Sequence, residues 1–241
     1  MGDISISTDD LIIWEWNWVK LNGTIVYTWI VMLVLVLIAW SVQRRLSSKQ
    51  RPTSWQRLIE YLVETIQGQI GDISGQRPGP FVPFIGTLFL LIAAASLMGM
   101  VPGFQPPTAS LSTTSALAAC VFLAVPYYGI RQQGFRSYAQ QYLKPTWLML
   151  PFNIIGELSR TLALAIRLYG NMMSGAVIGA VLLAFMPLFV PVAMQLLGLI
   201  TGMIQAYIFA VLAMVYIASA IRVRQKKIDQ EITKQGELEH G

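Results

Sequence analysis

The chain has 241 residues, 17 of them basic and 12 acidic, for a formal net charge of +5. Hydrophobic residues make up 55% and charged residues 12%, about half the charge of an ordinary soluble domain, and mean hydropathy is +0.57. The apolar residues run in long blocks, which excludes a soluble globular protein. The basic ones cluster beside those blocks, where membrane topology accounts for them without any nucleic acid partner.

Residues 1–23 include Asp3, Asp9, Asp10 and Glu15 and lack a basic leader, so no cleavable signal is expected and they form an extracytoplasmic segment. Residues 24–42 are a first membrane span, followed by Arg44, Arg45, Lys49, Arg51 and Arg57, which place the next loop in the cytoplasm. From Trp55 to Ile70, the residues Leu58, Ile59, Leu62, Val63 and Ile66 form one helical stripe, with Arg57, Glu60, Glu64 and Gln67 elsewhere. This predicts an amphipathic helix at the cytoplasmic interface. A second span covers residues 81–100, with Pro83 near its start, and its following loop is uncharged and faces outside. The third span, residues 111–130, holds the lone Cys120, expected in the core, and is followed by Arg131, Arg136 and Lys144.

The block from 147 to 221 is interrupted at Pro187 and Pro191, which suits a hairpin corner and makes five spans in all. Arg222, Arg224, Lys226 and Lys227 follow it, so the N-terminus lies outside and the C-terminus in the cytoplasm. The expected architecture is an all-α integral membrane protein. Residues 1–23 precede a single helical domain at 24–221, and a charged tail at 222–241 contains the lone His240, expected to be inert. The last two spans are overlong. A helix over residues 148–185 reaches about 57 Å and one over 191–221 about 46 Å, against about 30 Å of hydrocarbon. Either each is broken or both incline steeply against a neighbour's surface.

Along the fourth span Glu157, Arg160, Leu164, Arg167, Asn171 and Ser174 recur at steps of three or four and share one face. Glu157 and Arg160 read equally well as a local ion pair near the cytoplasmic end. Arg167 differs, because an arginine stays charged at any physiological pH and a charge at the bilayer centre costs about 3 kcal/mol or more. No acidic residue lies within a turn of it on its own helix. Its counter-charge is expected from another subunit, a bound anion or a water-filled path. The fifth span carries Gly198, Thr201, Gly202 and Gln205 on one face, with Gln195 and Tyr216 farther along. Gly198 and Gly202 form a small-residue packing motif. Gln205 reads as interhelical glue or as a partner of the Arg167 region. No nucleotide loop, metal-ligand cluster or nucleophile–base pair is apparent, so no cofactor and no metal are expected.

Three readings fit these residues: one part of an ion path, a self-contained transporter or channel whose arginine binds an anionic solute, and a membrane scaffold with the polar stripe as glue. The transporter reading expects internal pseudo-symmetry or interrupted half-helices, and neither is evident.

The runs Ser159-Arg160-Thr161-Leu162, Ile166-Arg167-Leu168-Tyr169-Gly170-Asn171 and Gln205-Ala206-Tyr207-Ile208-Phe209 resemble subunit a of the F-type ATP synthase membrane sector. So do Val82-Pro83-Phe84-Ile85-Gly86-Thr87 and Leu150-Pro151-Phe152-Asn153. The resemblance covers most of the chain beyond residue 80. It implies a non-nucleotide-binding stator subunit in a bacterial inner membrane, packed against a ring of c subunits and joined to peripheral-stalk subunit b, other synthase subunits and membrane lipid. Two offset half-channels carry protons or sodium ions to and from the ring carboxylates. Arg167 is the essential charge facing those carboxylates, with Asn171, Gln205, Glu157, Arg160 and Ser174 supporting it or lining the path. Many relatives carry an ionisable residue just after the Gly-Asn element or on the last helix, whereas residues 172–177 and 198–205 here contain no acid or histidine. Either water and hydroxyls suffice, or the coupling ion is sodium, and Glu157 is the surviving carboxylate for the cytoplasmic side.

Overall fold

The computed structural model describes residues 12–16, 19–46, 54–75, 78–101, 104–136, 138, 149–185 and 190–239. The chain opens with a short antiparallel pair, β1 (Ile12–Trp16) and β2 (Val19–Asn22), with Trp16 opposite Val19. This pair is a small addition to the expected all-helical chain. Its β-branched and aromatic residues, Ile12, Ile13, Trp14 and Val19 among them, suit a pleated strand.

Helix α1 (Gly23–Leu46) follows directly. Most of its large apolar side chains are exposed, Trp29, Leu33 and Val36 among them, as suits a helix whose solvent is lipid. At its far end the Arg44 guanidinium lies 3.6 Å over the Trp40 ring, a cation held against an aromatic where the apolar run stops. Helix α2 (Ser54–Ser74) is the amphipathic element, four residues longer at its C-terminal end than the stripe suggests. Leu62, Ile66, Ile70 and Ile73 turn inward, while Arg57, Glu60, Glu64 and Gln67 are exposed. Val63 lies with the exposed residues, and the side chains of Leu58 and Ile59 are outside the described set.

Helix α3 (Val82–Met98) has 17 residues, with Pro83 in its first turn, where no N–H is needed. One turn of 3-10 helix at Pro107–Ala109 leads into α4 (Leu111–Gln133). Gly134 ends α4 at φ 81°, a left-handed conformation open to glycine, while its N–H donates to the Ile130 carbonyl. Cys120 is exposed on α4 and not in the core. A small, weakly polar side chain is as well tolerated against lipid as inside, so its position in an apolar run does not tell the two apart.

Helices α5 (Met149–Phe185) and α6 (Val190–Glu239) are both continuous, with 37 and 50 residues. Neither is broken, and α5 spans about 56 Å and α6, with the charged tail, about 75 Å at 1.5 Å per residue. Pro191 is the second residue of α6, where its ring is harmless. The charged tail continues α6 as far as Glu239, and His240 lies outside the described residues. Among the described residues, four helices are long and apolar enough to cross a membrane, over Gly23–Ser41, Leu111–Gln133, Leu150–Gly179 and Val192–Ile221, and α3 is a shorter apolar fifth.

Helix α6 is the hub of the bundle. It packs most extensively on α3 and also on α2, α4 and α5. Phe209, Ala213, Met214 and Ile217 of α6 are fully buried, beside Ile92 of α3, Val121 of α4 and Leu168 of α5. Gln133 at the end of α4 donates its Nε2 to the Ala220 and Ile221 carbonyls, and Tyr207 Oη donates to Gln69 Oε1 at 3.0 Å. Four elements are thereby fastened to one rod.

Candidate functional site on the α5–α6 hairpin

The two long helices run antiparallel in a defined register. Asn171 Nδ2 donates to Gln205 Oε1 at 2.6 Å, and the Arg160 guanidinium stands 5.9 Å from the Tyr216 ring centroid. Both pairs are symmetric about position 188, at 17 and 28 residues on either side, so the helices descend from the corner in step.

A stripe at steps of three and four drifts around a straight helix by about 20° every seven residues. That drift divides the predicted face. Leu164 is buried at 1% exposure, and Asn171 reaches toward α6 to meet Gln205. Arg160, Arg167 and Ser174 are exposed, and Glu157 is half-buried. Arg167 thus stands on the rim of the α5–α6 contact, one turn from Asn171, with Leu164, Ala165 and Leu168 buried behind it. Among the described residues it makes no hydrogen bond and no ion pair. Its cation projects from the bundle without a counter-charge from the described part of its own chain.

Gln205 is the reverse case. It is 1% exposed, its Oε1 is taken by Asn171, and its Nε2 has no partner among the described residues. A buried donor left unpaired costs on the order of 1–3 kcal/mol, so this amide keeps hydrogen-bonding capacity inside the hairpin. Ser174 Oγ spends its proton on the Asn171 carbonyl at 3.2 Å, a bond within its own helix. Asn171 and Gln205 are therefore brought together one turn from Arg167, while Arg160 lies farther from the hairpin corner, beside Tyr216.

A further close contact at this level involves Ser96 of α3. Gly202, one turn before Gln205, lies so close to Ser96 of α3 that a Cβ built on it would stand 2.6 Å from Ser96 Oγ and 2.7 Å from Ser96 Cβ. Met172 Cε, beside Asn171, would be 3.2 Å away. Of the small-residue motif, Gly202 is the member in tight packing, and Gly198 has no neighbour within 4 Å of such a Cβ. Gly170, Gly175 and Gly179 are likewise open. The only sequence signal for Ser96 is a hydroxyl in an otherwise apolar stretch.

The family model described as ATP synthase A chain matches residues 25–218. This chain belongs to that family. ATP synthase subunit a of Nitrosospira multiformis is 55% identical over 215 residues, which cover 89% of this chain and 86% of the relative. ATP synthase subunit a 2 of Acaryochloris marina is 52% identical over 236 residues, 98% of this chain and 99% of that one. ATP synthase subunit a of Albidiferax ferrireducens is 52% identical over 222 residues, with 92% and 96% covered. For an ATP synthase A chain, a subunit that works beside the others of its complex, an uncompensated cation on the outer face of the hairpin has a natural use. The self-contained transporter is not the reading this family supports.

Proposed function

We propose that this A chain is the ion-conducting stator of a rotary ATP synthase and that Arg167 is its working charge. The supporting observation is the combination just described: an exposed guanidinium without a counter-charge among the described residues, backed by the hydrogen bond from exposed Asn171 to buried Gln205. A fixed cation lowers the pKa of a carboxyl group brought near it and favours release of the bound ion. Arg167 meets each c-ring carboxylate in turn as the ring rotates, holds it ionised between two half-channels, and repels a hydrated cation that would bypass the ring. Asn171 and Gln205 hold the helix segment that carries Arg167. Glu157, Arg160 and Ser174 line or support the path, with Glu157 as the carboxylate on the cytoplasmic side. The ion delivered and removed is a proton or a sodium ion.

In this reading the N-terminus faces outside a bacterial inner membrane and the C-terminus faces the cytoplasm. Residues 1–23 precede the helical domain at 24–221, and 222–241 form its cytoplasmic extension. The c-ring packs along the inclined α5–α6 hairpin, and peripheral-stalk subunit b holds the chain against rotation. The deciding experiment is Arg167→Ala in the assembled complex, reconstituted in vesicles. Ion-driven ATP synthesis is expected to vanish while complex assembly, measured by subunit content, is retained. Normal coupled synthesis by the assembled variant would remove the mechanism.

A further inference from the structure

We infer that Gly202 and Ser96 form a steric stop that sets the position of Gln205, and through it Asn171 and the Arg167 segment. This rests on the stator reading and names positioning residues for it. Three helices meet at this point. Ser96 on α3 is 7% exposed and its Oγ donates to the Ile92 carbonyl at 2.9 Å, so its side chain is tethered to its own helix. Gly202 on α6 presents only hydrogen to it, since any Cβ there would overlap both Ser96 Oγ and Ser96 Cβ at well under contact distance. Met172 on α5 closes the third side with its methyl end.

The three contacts do not yield equally. A methionine terminus is the flexible end of a long side chain and swings aside. Ser96 Cβ is bonded directly to the backbone and moves only if α3 moves. The distance between α3 and α6 at this level is therefore fixed by the absence of one methyl group. Gln205 is three residues farther along α6, less than one turn, and it shares the helix's rigid displacement. Its 2.6 Å bond to Asn171, at the short end of the N–H···O range, ties α6 to α5 at this level. A shift of α6 away from α3 thus reaches the Arg167 segment through that single bond.

The geometry also predicts which compensating changes work. Removing only the hydroxyl, with Ser96→Ala, leaves the Cβ–Cβ overlap in place. Removing the whole side chain, with Ser96→Gly, clears it. The test places Gly202→Ala, alone and combined with each Ser96 variant, in the complete complex in membrane vesicles. Ion-driven ATP synthesis is measured per assembled complex against ion concentration, with Arg167→Ala as the reference. Gly202→Ala is expected to lower the maximal rate per complex by about fivefold or more. Gly202→Ala with Ser96→Gly is expected to recover most of that loss, and Gly202→Ala with Ser96→Ala is not. An unchanged rate per complex with reduced assembly would reduce the contact to packing alone and overturn the inference. So would failure of Ser96→Gly to rescue a complex that assembles normally. If Arg167→Ala itself leaves coupled synthesis intact, the stator reading fails, and that outcome is distinct from both.

Discussion

Asn171 and Gln205, 34 residues apart in the chain, are joined across the α5–α6 hairpin by a 2.6 Å hydrogen bond from Nδ2 to Oε1. It is a polar connection between the two long helices in the part of the bundle where Leu164, Leu168, Ala206 and Phe209 are buried. In a membrane, association of helices owes little to the hydrophobic effect and more to packing and to bonds of this kind. The pair therefore both fastens the hairpin and fixes the azimuth of the exposed Arg167 one turn away.

Asn171→Leu is expected to slow ATP-driven ion pumping per complex by roughly fivefold to thirtyfold, the equivalent of 1–2 kcal/mol for the buried Gln205 amide left without its partner, and Gln205→Leu, which orphans only the exposed Asn171 amide, by less. The double variant is expected to lose far less than the product of the two single losses, since the second change removes a group already orphaned. Initial pumping rates in inverted vesicles for the four combinations give the coupling directly. Strictly multiplicative losses would show that the two amides act separately.

Arg167→Lys keeps a positive charge but is expected to restore little function. Guanidinium offers five donors in a rigid planar fork that matches a carboxylate, whereas an ammonium is a compact point charge on a flexible stem. Coupled synthesis should fall by about tenfold or more, about 1.4 kcal/mol in transition-state terms. The rate of ion-driven synthesis per assembled complex checks the size of the loss.

Gly129→Ala should destabilise the C-terminal end of α4. A Cβ at this position would stand 2.5 Å from Tyr138 Cε2 and 2.9 Å from Tyr138 Cδ2, and Tyr138 is itself buried. Overpacking of this kind costs roughly 1–3 kcal/mol. Thermal unfolding of the complex in detergent should shift to lower temperature.

Cys120, the chain's one cysteine, is exposed on an apolar helix. Its thiol should react with a lipid-soluble maleimide in intact membranes and resist a membrane-impermeant, charged one. Cys120→Ala should leave ATP synthesis unchanged. Mass spectrometry of the labelled subunit reads the first outcome.

The membrane-spanning helices were legible because lipid imposes a simple rule: some twenty apolar residues in sequence, with charges at the ends. Pro187 and Pro191 marked the corner between α5 and α6, and Arg167 stood out because a charge in that setting is costly. The antiparallel register was also within reach, since counting from the corner brings residue 171 level with 205. What stayed hidden depended on which side of a helix faces protein. Lipid and a protein core are equally apolar, so nothing in the hydropathy separates exposed Cys120 from buried Val121. The role of Ser96 was hidden for the same reason: Gly202 stood out as a small packing residue, but nothing in the apolar α3 stretch says which of its residues meets it. The strands at Ile12–Trp16 and Val19–Asn22 lie in a short polar and aromatic stretch whose pairing only the fold reveals.

Helix α6 is one unbroken rod from Val190 to Glu239, and Gln133 grips it at Ala220 and Ile221. That grip acts as a fulcrum. From Ile221 to Gln205 is 16 residues, and from Ile221 to Glu239 is 18, so the two arms are nearly equal. To the extent that the rod stays stiff, a sideways push on its far end arrives at Gln205 at almost full amplitude and in the opposite direction. The packing of the inner arm against α3 then acts as the brake. Load carried by the C-terminal extension and the placement of the membrane cation are thereby mechanically connected within a single secondary-structure element.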